Sequence, residues 1–419
     1  MIDRKTPPPF VHTTSFDLIQ PARKRLPNGV SLFLVPGGSQ EVIKIELILR
    51  AGRWYESHTG ASHFSANLLT KGTRSKTSFQ IAQVFDQYGA HVDLNPGLDF
   101  VSVSLYGLTR YLRPVLDLLV EILTGPEFPE KELEQSKSIF IQNLRVNEEK
   151  TSFLASKAFR RKIFGQDHPY GKELEENDVK MLGKKDLIAH YNAYYKNITV
   201  FVSGKIDQDS QTIITDALSR LQTSDPEPVK NSPSATQPFH QHIPKEGSVQ
   251  TSIRAGKKSL LISDSDYTRA VFVSHILGGY FGSRLMKNIR EEKGLTYGIY
   301  ASLHPLQHDS YLVIGTDVNK ENVELTLDEI RKELKILRTE PVGNEELDIT
   351  KNHFIGSLQA EITTPFAHAD KLKTIELYGL SPDFYQHMIS IVDGITTDDI
   401  LEVSNKYFHE DSLNEVSVG

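Results

Sequence analysis

No cysteine occurs among the 419 residues. Disulfides, thiolate nucleophiles and every sulfur-ligated zinc site are thereby excluded, so a bound metal would need histidine and carboxylate ligands. A chain without thiols is at home in either redox environment, and the compartment stays open on this ground. No uncharged apolar run is long enough to span a bilayer, and the opening MIDRKTPPPFVHTT lacks the apolar core of a secretory signal. The expectation is a soluble chain with no membrane association, cytoplasmic, or periplasmic if a leader was removed. An excess of positive charge is also missing. The 47 Lys and Arg against 54 Asp and Glu leave a net charge of −7, which argues against a nucleic-acid partner. No serine sits in a G-x-S-x-G elbow, so a serine hydrolase has no support.

What is present is ordinary globular material: 38% hydrophobic residues and 24% charged ones, in a length that suits two or three domains. The stretch TSDPEPVKNSPSATQPFH (223–240) holds Pro226, Pro228, Pro233 and Pro238 and almost no large apolar residue, which makes it a semi-extended linker. It divides the chain into residues 1–222 and 241–419, and the two halves resemble each other. ELEQSKSIFIQNL (132–144) matches ELDITKNHFIGSL (346–358), and DLIAHYNAYY (186–195) matches DILEVSNKYF (399–408), at nearly the same offset. A tandem duplication is the reading.

Within the first half, 30–35 and 41–49 read as strands, the second alternating charged and apolar residues. Residues 77–89 read as a helix. Thr77 and Gln80 stand in capping-box spacing, Ile81, Val84, Phe85 and Tyr88 share one face, and Gly89 stops it. A strand over 101–107, a helix over 110–125 with Pro114 in its first turn, a mostly helical stretch over 129–164 and a strand over 198–204 complete the unit. The fold class is α+β: two related α/β domains in tandem, each a largely antiparallel sheet covered by helices on one side.

Three stretches carry chemistry. GASHFSANLLTKGT (60–73) has the frame of a helical H-x-x-E-H with its letters exchanged; FGQDHPYG spans 164–171 and GSRLMKNIREEKGLTYGIYAS spans 282–302. Together they resemble the pitrilysin/insulinase-like (inverzincin) metallopeptidases, in particular the short two-domain type related to mitochondrial processing peptidase. The resemblance covers essentially the whole chain and implies the tandem fold found above. In active members, the two histidines and a downstream glutamate hold zinc while the motif glutamate serves as base. By position, His63 matches the first histidine, Ala66 stands where the base belongs, Asn67 replaces the second histidine, and Asn143 falls on the downstream ligand. Glu148 and Glu149 follow too far along to replace it without a shift of more than one helical turn.

One imidazole with two neutral amides is a poor cage for a catalytic zinc, which takes three protein ligands plus water. The Ala66 methyl cannot accept a proton from metal-bound water. The expectation is therefore no metal and no catalytic residue in this chain, with His63 a remaining helix residue whose ring is hydrogen-bonded or solvated. The resemblance further implies that an Arg and a Tyr in the second domain hold substrate backbone over the zinc, and Arg290 and Tyr297 match them. Both groups donate hydrogen bonds to a peptide carbonyl or oxyanion. Alternatively, Arg290 pairs with Glu291 or Glu292 and Tyr297 packs in the core.

The turn LGGYFGSRL (277–285) lacks the lysine of a phosphate-binding loop and reads as a tight backbone passage. Family members offer peptides an exposed strand edge. Its counterpart here, AHVDLNPGLDF (90–100), contains Pro96 and Gly97 and reads as a blunted edge. His240 and His242 alternate as solvated loop residues or a weak surface metal site, and His168 reads as structural. The expectation is a non-catalytic, substrate-binding subunit of a heterodimeric zinc metallopeptidase acting on peptides. Zinc then resides in a homologous catalytic partner with an intact H-x-x-E-H. The alternatives are a scaffold protein of this fold with no part in proteolysis, and a self-sufficient peptidase with an unusual metal arrangement.

Overall fold

The computed structural model describes residues 13–224, 229 and 238–419. Most of the 223–240 segment, including Pro226, Pro228 and Pro233, lies outside the described residues, as does most of the opening MIDRKTPPPFVHTT. Eleven strands are described: β1 Ala22–Arg25, β2 Ser31–Pro36, β3 Val42–Leu49, β4 His91–Pro96, β5 Val101–Leu108, β6 Ile198–Gly204, β7 His240–Ile243, β8 Gln250–Lys258, β9 Thr296–Pro305, β10 Ser310–Asn319 and β11 Asn414–Val418. They form two sheets, ordered β1-β2-β6-β3-β5-β4 and β7-β11-β8-β10-β9. The duplication is written in that order. Without β1, the first sheet maps strand by strand onto the second. The β2–β6 pair in one and the β7–β11 pair in the other are parallel while every other pairing is antiparallel.

The first-half elements form for the reasons legible in the sequence. Thr77 caps helix Ser78–Gln87 with both arms of a capping box, and Gly89 beyond it has φ 59°. Pro114 sits near the start of helix Leu112–Thr124, where its missing N–H is harmless. The 129–164 stretch is two helices, Glu130–Glu148 and Thr151–Phe164. In β3, Ile43, Ile45, Leu47 and Leu49 pack with Val115, Leu119, Ile214 and Leu218 of the first half's own helices. In the second half, Ile299, Leu312 and Ile314 pack with Val273, Ile330, Ile389 and Ile400.

Each half's own helices thus lie on one side of its sheet. The other face is not bare: it takes a helix from the opposite half. Ala369 and Leu372 of helix Pro365–Tyr378 pack on Phe33, Val35, Ile48 and Phe201 of the first sheet. Ala155, Phe159, Ile163 and Phe164 of helix Thr151–Phe164 pack on Val313, Val416 and Val418 of the second. Helical coverage is therefore two-sided, because an apolar sheet face left open would keep its area in water. A second tie joins the hairpins. Tyr170 donates to Asp99 (2.5 Å), the N–H of Gln307 donates to the same carboxylate (3.1 Å), and the N–H of His308 donates to the Tyr170 hydroxyl (3.2 Å). Burial raises the Asp99 carboxyl above its usual range even though these donors favour the charged form.

The first of these contacts carries buried charge. Lys44 and Glu46 are 6% and 5% exposed. Lys44 Nζ lies 2.9 Å from Glu46 and 3.2 Å from Asp370, while Lys373 reaches Glu46 at 2.8 Å and Asp370 at 3.0 Å. Burial alone would raise the Glu46 pKa, but Lys373 and then Lys44 overcome it and hold the carboxyl below the usual glutamate range. A depressed folded-state pKa gives stability that is present at neutral pH and is lost as pH falls through it. Glu46→Ala leaves buried Lys44 with only the half-exposed Asp370 as a partner and should cost about 3 kcal/mol in urea unfolding at pH 7. The difference from the parent should shrink below about pH 4.

Candidate functional site

Helix Ala61–Asn67 begins at Gly60, whose φ of 93° only glycine adopts without strain. Glu56 caps it, accepting from the N–H groups of Gly60 (3.1 Å) and Ser62 (2.8 Å). His63 stands one turn in, with its ring edge-on to Phe64 and Phe140. Asn67 Nδ2 donates to the His63 carbonyl (2.9 Å) and lies 3.2 Å from His63 Nε2, so the amide occupies the lone pair a metal would take. Ala66 is fully buried in the first-half core. His63 and Asn143 share a cavity of about 240 Å³ with Arg53, Glu56, Phe153, Lys157 and Glu173.

The donor set does not suit zinc. The carboxylates nearest His63 are committed elsewhere: Glu56 to the helix N-terminus, Glu173 to Arg160 and Arg53. Glu148 pairs with Lys157 (3.2 Å) and Glu149 with Lys245 (3.1 Å), and neither lines the cavity. Among the described residues, no three His, Asp or Glu side chains converge on a point where an ion could sit. Burial, and then the Arg53 charge, lower the His63 pKa to about 4, so its ring is neutral at physiological pH. Zinc titrated into the purified chain at pH 7 should show no stoichiometric binding by calorimetry. A one-to-one site of micromolar affinity or better, abolished by His63→Ala, would contradict this assignment.

In the second half, Arg290 lies in a π-helical segment, Met286–Glu292. Such segments are uncommon and concentrate at functional sites. Buried Asn288 ties this one down, donating to Glu329 (2.9 Å) and Glu333 (2.6 Å). Among the described residues no ion pair or hydrogen bond engages the Arg290 side chain, so the pairing with Glu291 or Glu292 is not made. Its guanidinium carbon lies 4.5 Å from the Phe281 ring centre and 5.4 Å from that of Tyr297. Tyr297 is not a core residue: it is 92% exposed. The cause is local. The β9–β10 register shifts between Thr316 and Val318, with Tyr297 and Gly298 as the bulged pair. The Thr296 and Thr316 hydroxyls both donate to the Gly298 carbonyl, at 3.0 and 2.9 Å. Bulges re-aim side chains at sheet edges, and this one turns the phenol outward beside Arg290.

The first-sheet edge departs from expectation. The segment containing Pro96 is a strand after all, β4, which among the described residues pairs with β5 alone and lies at the end of the sheet. Pro96 is the last residue of the ladder, opposite Val101, and the Gly97 N–H closes the turn onto the Phe100 carbonyl (2.8 Å). A proline at a strand end removes no interior rung, which is why the edge is not blunted. His240 and His242 are likewise strand residues in β7, bonded separately to Glu415 and Ser417 at 2.9 Å each. His168 stacks on Phe164 and accepts from the Tyr170 N–H.

A sequence model described as insulinase, peptidase family M16, matches residues 38–176, and one described as the peptidase M16 inactive domain matches 182–354. The chain belongs to the M16 family. Over 410 residues it is 24% identical to an uncharacterized zinc protease of Rickettsia bellii, covering 94% of this chain and 96% of that protein. It is 23% identical to the mitochondrial-processing peptidase subunit beta of Saccharomyces cerevisiae (94% and 90% covered) and 21% identical to the non-peptidase homolog YmxG of Helicobacter pylori (82% and 81%). The crystal structure of a peptidase M16 inactive domain from Pseudomonas fluorescens superposes with a TM-score of 0.87 at 22% identity, over 95% of this chain and 98% of that one. The two-domain M16 fold is therefore established. No helix among the described residues is long and apolar enough to cross a membrane.

Sequence reasoning missed Phe281, which is 61% exposed beside Arg290. Its signal was available: a large aromatic between glycines in a turn that has no phosphate to bind.

Proposed function

We propose that this M16 chain is the non-catalytic, substrate-binding subunit of a heterodimeric zinc metallopeptidase acting on peptides. Its partner is a homologous chain with an intact H-x-x-E-H that carries the zinc. The observation that carries the reading is the contrast between the halves. The first presents a neutral His63 among amides and committed carboxylates. The second presents an Arg290 with no ion pair among the described residues, beside the exposed phenol of Tyr297. A guanidinium and a phenol are hydrogen-bond donors suited to a peptide carbonyl and to the oxyanion formed when water attacks it. The similarity to a protein named as a processing-peptidase subunit supports a role in a multi-chain enzyme. An interface of obligate size would bury more than about 2,000 Å² in total.

Co-expression with a candidate catalytic chain tests this directly. Peptidase activity should appear only in the mixture. Arg290→Ala should lower kcat by about 10²–10³, the usual cost of losing one oxyanion donor, and Tyr297→Phe should lower it measurably. Full activity in both variants would contradict the proposal. A second reading, a scaffold of this fold outside proteolysis, draws on the relative named a non-peptidase homolog. It requires assembly with non-peptidase partners that is indifferent to Tyr297.

A further inference from the structure

The glycine turn before Arg290 is built to hold one ring in place. A Cβ on Gly278 would come within 2.5 Å of the Ala301 backbone nitrogen in β9, and one on Gly279 within 2.4 Å of the His275 ring. Two side chains anchor the turn to helix Asn344–Ala360: Tyr280 through Thr350 (3.0 Å) and Arg284 through both oxygens of Glu346 (2.8 and 2.9 Å). Phe281 lies between these anchors, yet its ring packs in no core cluster and is 61% exposed. What it meets is the guanidinium of Arg290, at 4.5 Å, with the Tyr297 ring at 5.4 Å from the same carbon.

We infer that Phe281 is a positioning residue for substrate binding: its ring, with that of Tyr297, fixes the guanidinium of Arg290 so that the N–H edge stays available to a peptide carbonyl. The inference rests on the reading of Arg290 as a substrate-binding group. A half-buried arginine with Glu291 and Glu292 beside it in sequence would ordinarily turn toward a carboxylate. Contact with aromatic faces holds the cation through the ring quadrupole and consumes none of its five N–H donors. A bidentate salt bridge would consume two of them. Phe281 itself offers no polar atom to substrate, so its part is exerted through Arg290.

Two measurements on the full chain test this. Ring currents should displace the Arg290 side-chain NMR signals, identified by their loss in Arg290→Lys. Phe281→Leu should return them toward the values of a free arginine, and Phe281→Tyr should keep them displaced. Binding of fluorescein-labelled, carboxymethylated α-lactalbumin, an unfolded polypeptide, should weaken by about three- to tenfold in Phe281→Leu, the range set by one cation–π contact. Phe281→Tyr should recover it to within about twofold. Unchanged Arg290 signals in Phe281→Leu overturn the inference outright. Weaker binding in Arg290→Lys but not in Phe281→Leu overturns the inference and leaves the reading of Arg290 standing. Unchanged binding in Arg290→Lys removes that reading, and the inference with it.

Discussion

Neither sheet of this protein is closed by its own half. The exchange of helices, Pro365–Tyr378 onto the first sheet and Thr151–Phe164 onto the second, is the constraint on which the remaining structure depends. It ties the two halves of the duplicated chain to each other. Separating the halves would expose Phe33, Phe201 and Val416 to water and leave the Lys44–Glu46 pair without Lys373 and Asp370. Apolar area supplies the bulk of the attraction. The buried ion cluster restricts how the two surfaces meet, since any slip leaves a charge uncompensated. The Asp99–Tyr170 contact to Gln307 and His308 fixes the hairpin ends in the same way.

On that frame the two halves have parted in chemistry while keeping their topology. In the first, the described groups around His63 do not assemble a metal site. Ala66 is packed in the core, Asn67 is bonded to His63, Glu56 serves the helix, and Glu173 serves two arginines. In the second, local irregularities work together: a π-helical segment, a strand bulge and a glycine turn bring half-buried Arg290 beside the exposed rings of Tyr297 and Phe281. Regular structure would have put Tyr297 on the pleat and left the arginine to find a carboxylate. The terminal position of β4 leaves, among the described residues, one strand edge without a ladder partner, a feature compatible with pairing to an extended chain.

Much of this was legible in the residues. The repeats at 132–144 and 346–358 lie on corresponding helices, the capping box at Thr77 formed, and β2, β3, β5 and β6 fall on the stretches read as strands. The exchange was not legible, because the apolar stripe of helix Thr151–Phe164 says that a partner exists and not which sheet supplies it. The β4 edge was misjudged because a proline's effect depends on whether it sits inside a ladder or at its end. The surroundings of Arg290 were hidden for a related reason. Period and spacing locate a residue along an element, whereas a bulge and a π-turn alter where it points.

The central claim is a division of labour, with metal chemistry in one chain and the hold on substrate in this one. Its most direct test is diffraction at the zinc edge from crystals of the co-purified pair with a peptide bound. The account predicts one anomalous peak per heterodimer, located in the partner, and a peptide carbonyl within hydrogen-bonding distance of Arg290. A fully occupied peak at His63, or a peptide bound away from both Arg290 and Tyr297, would contradict it.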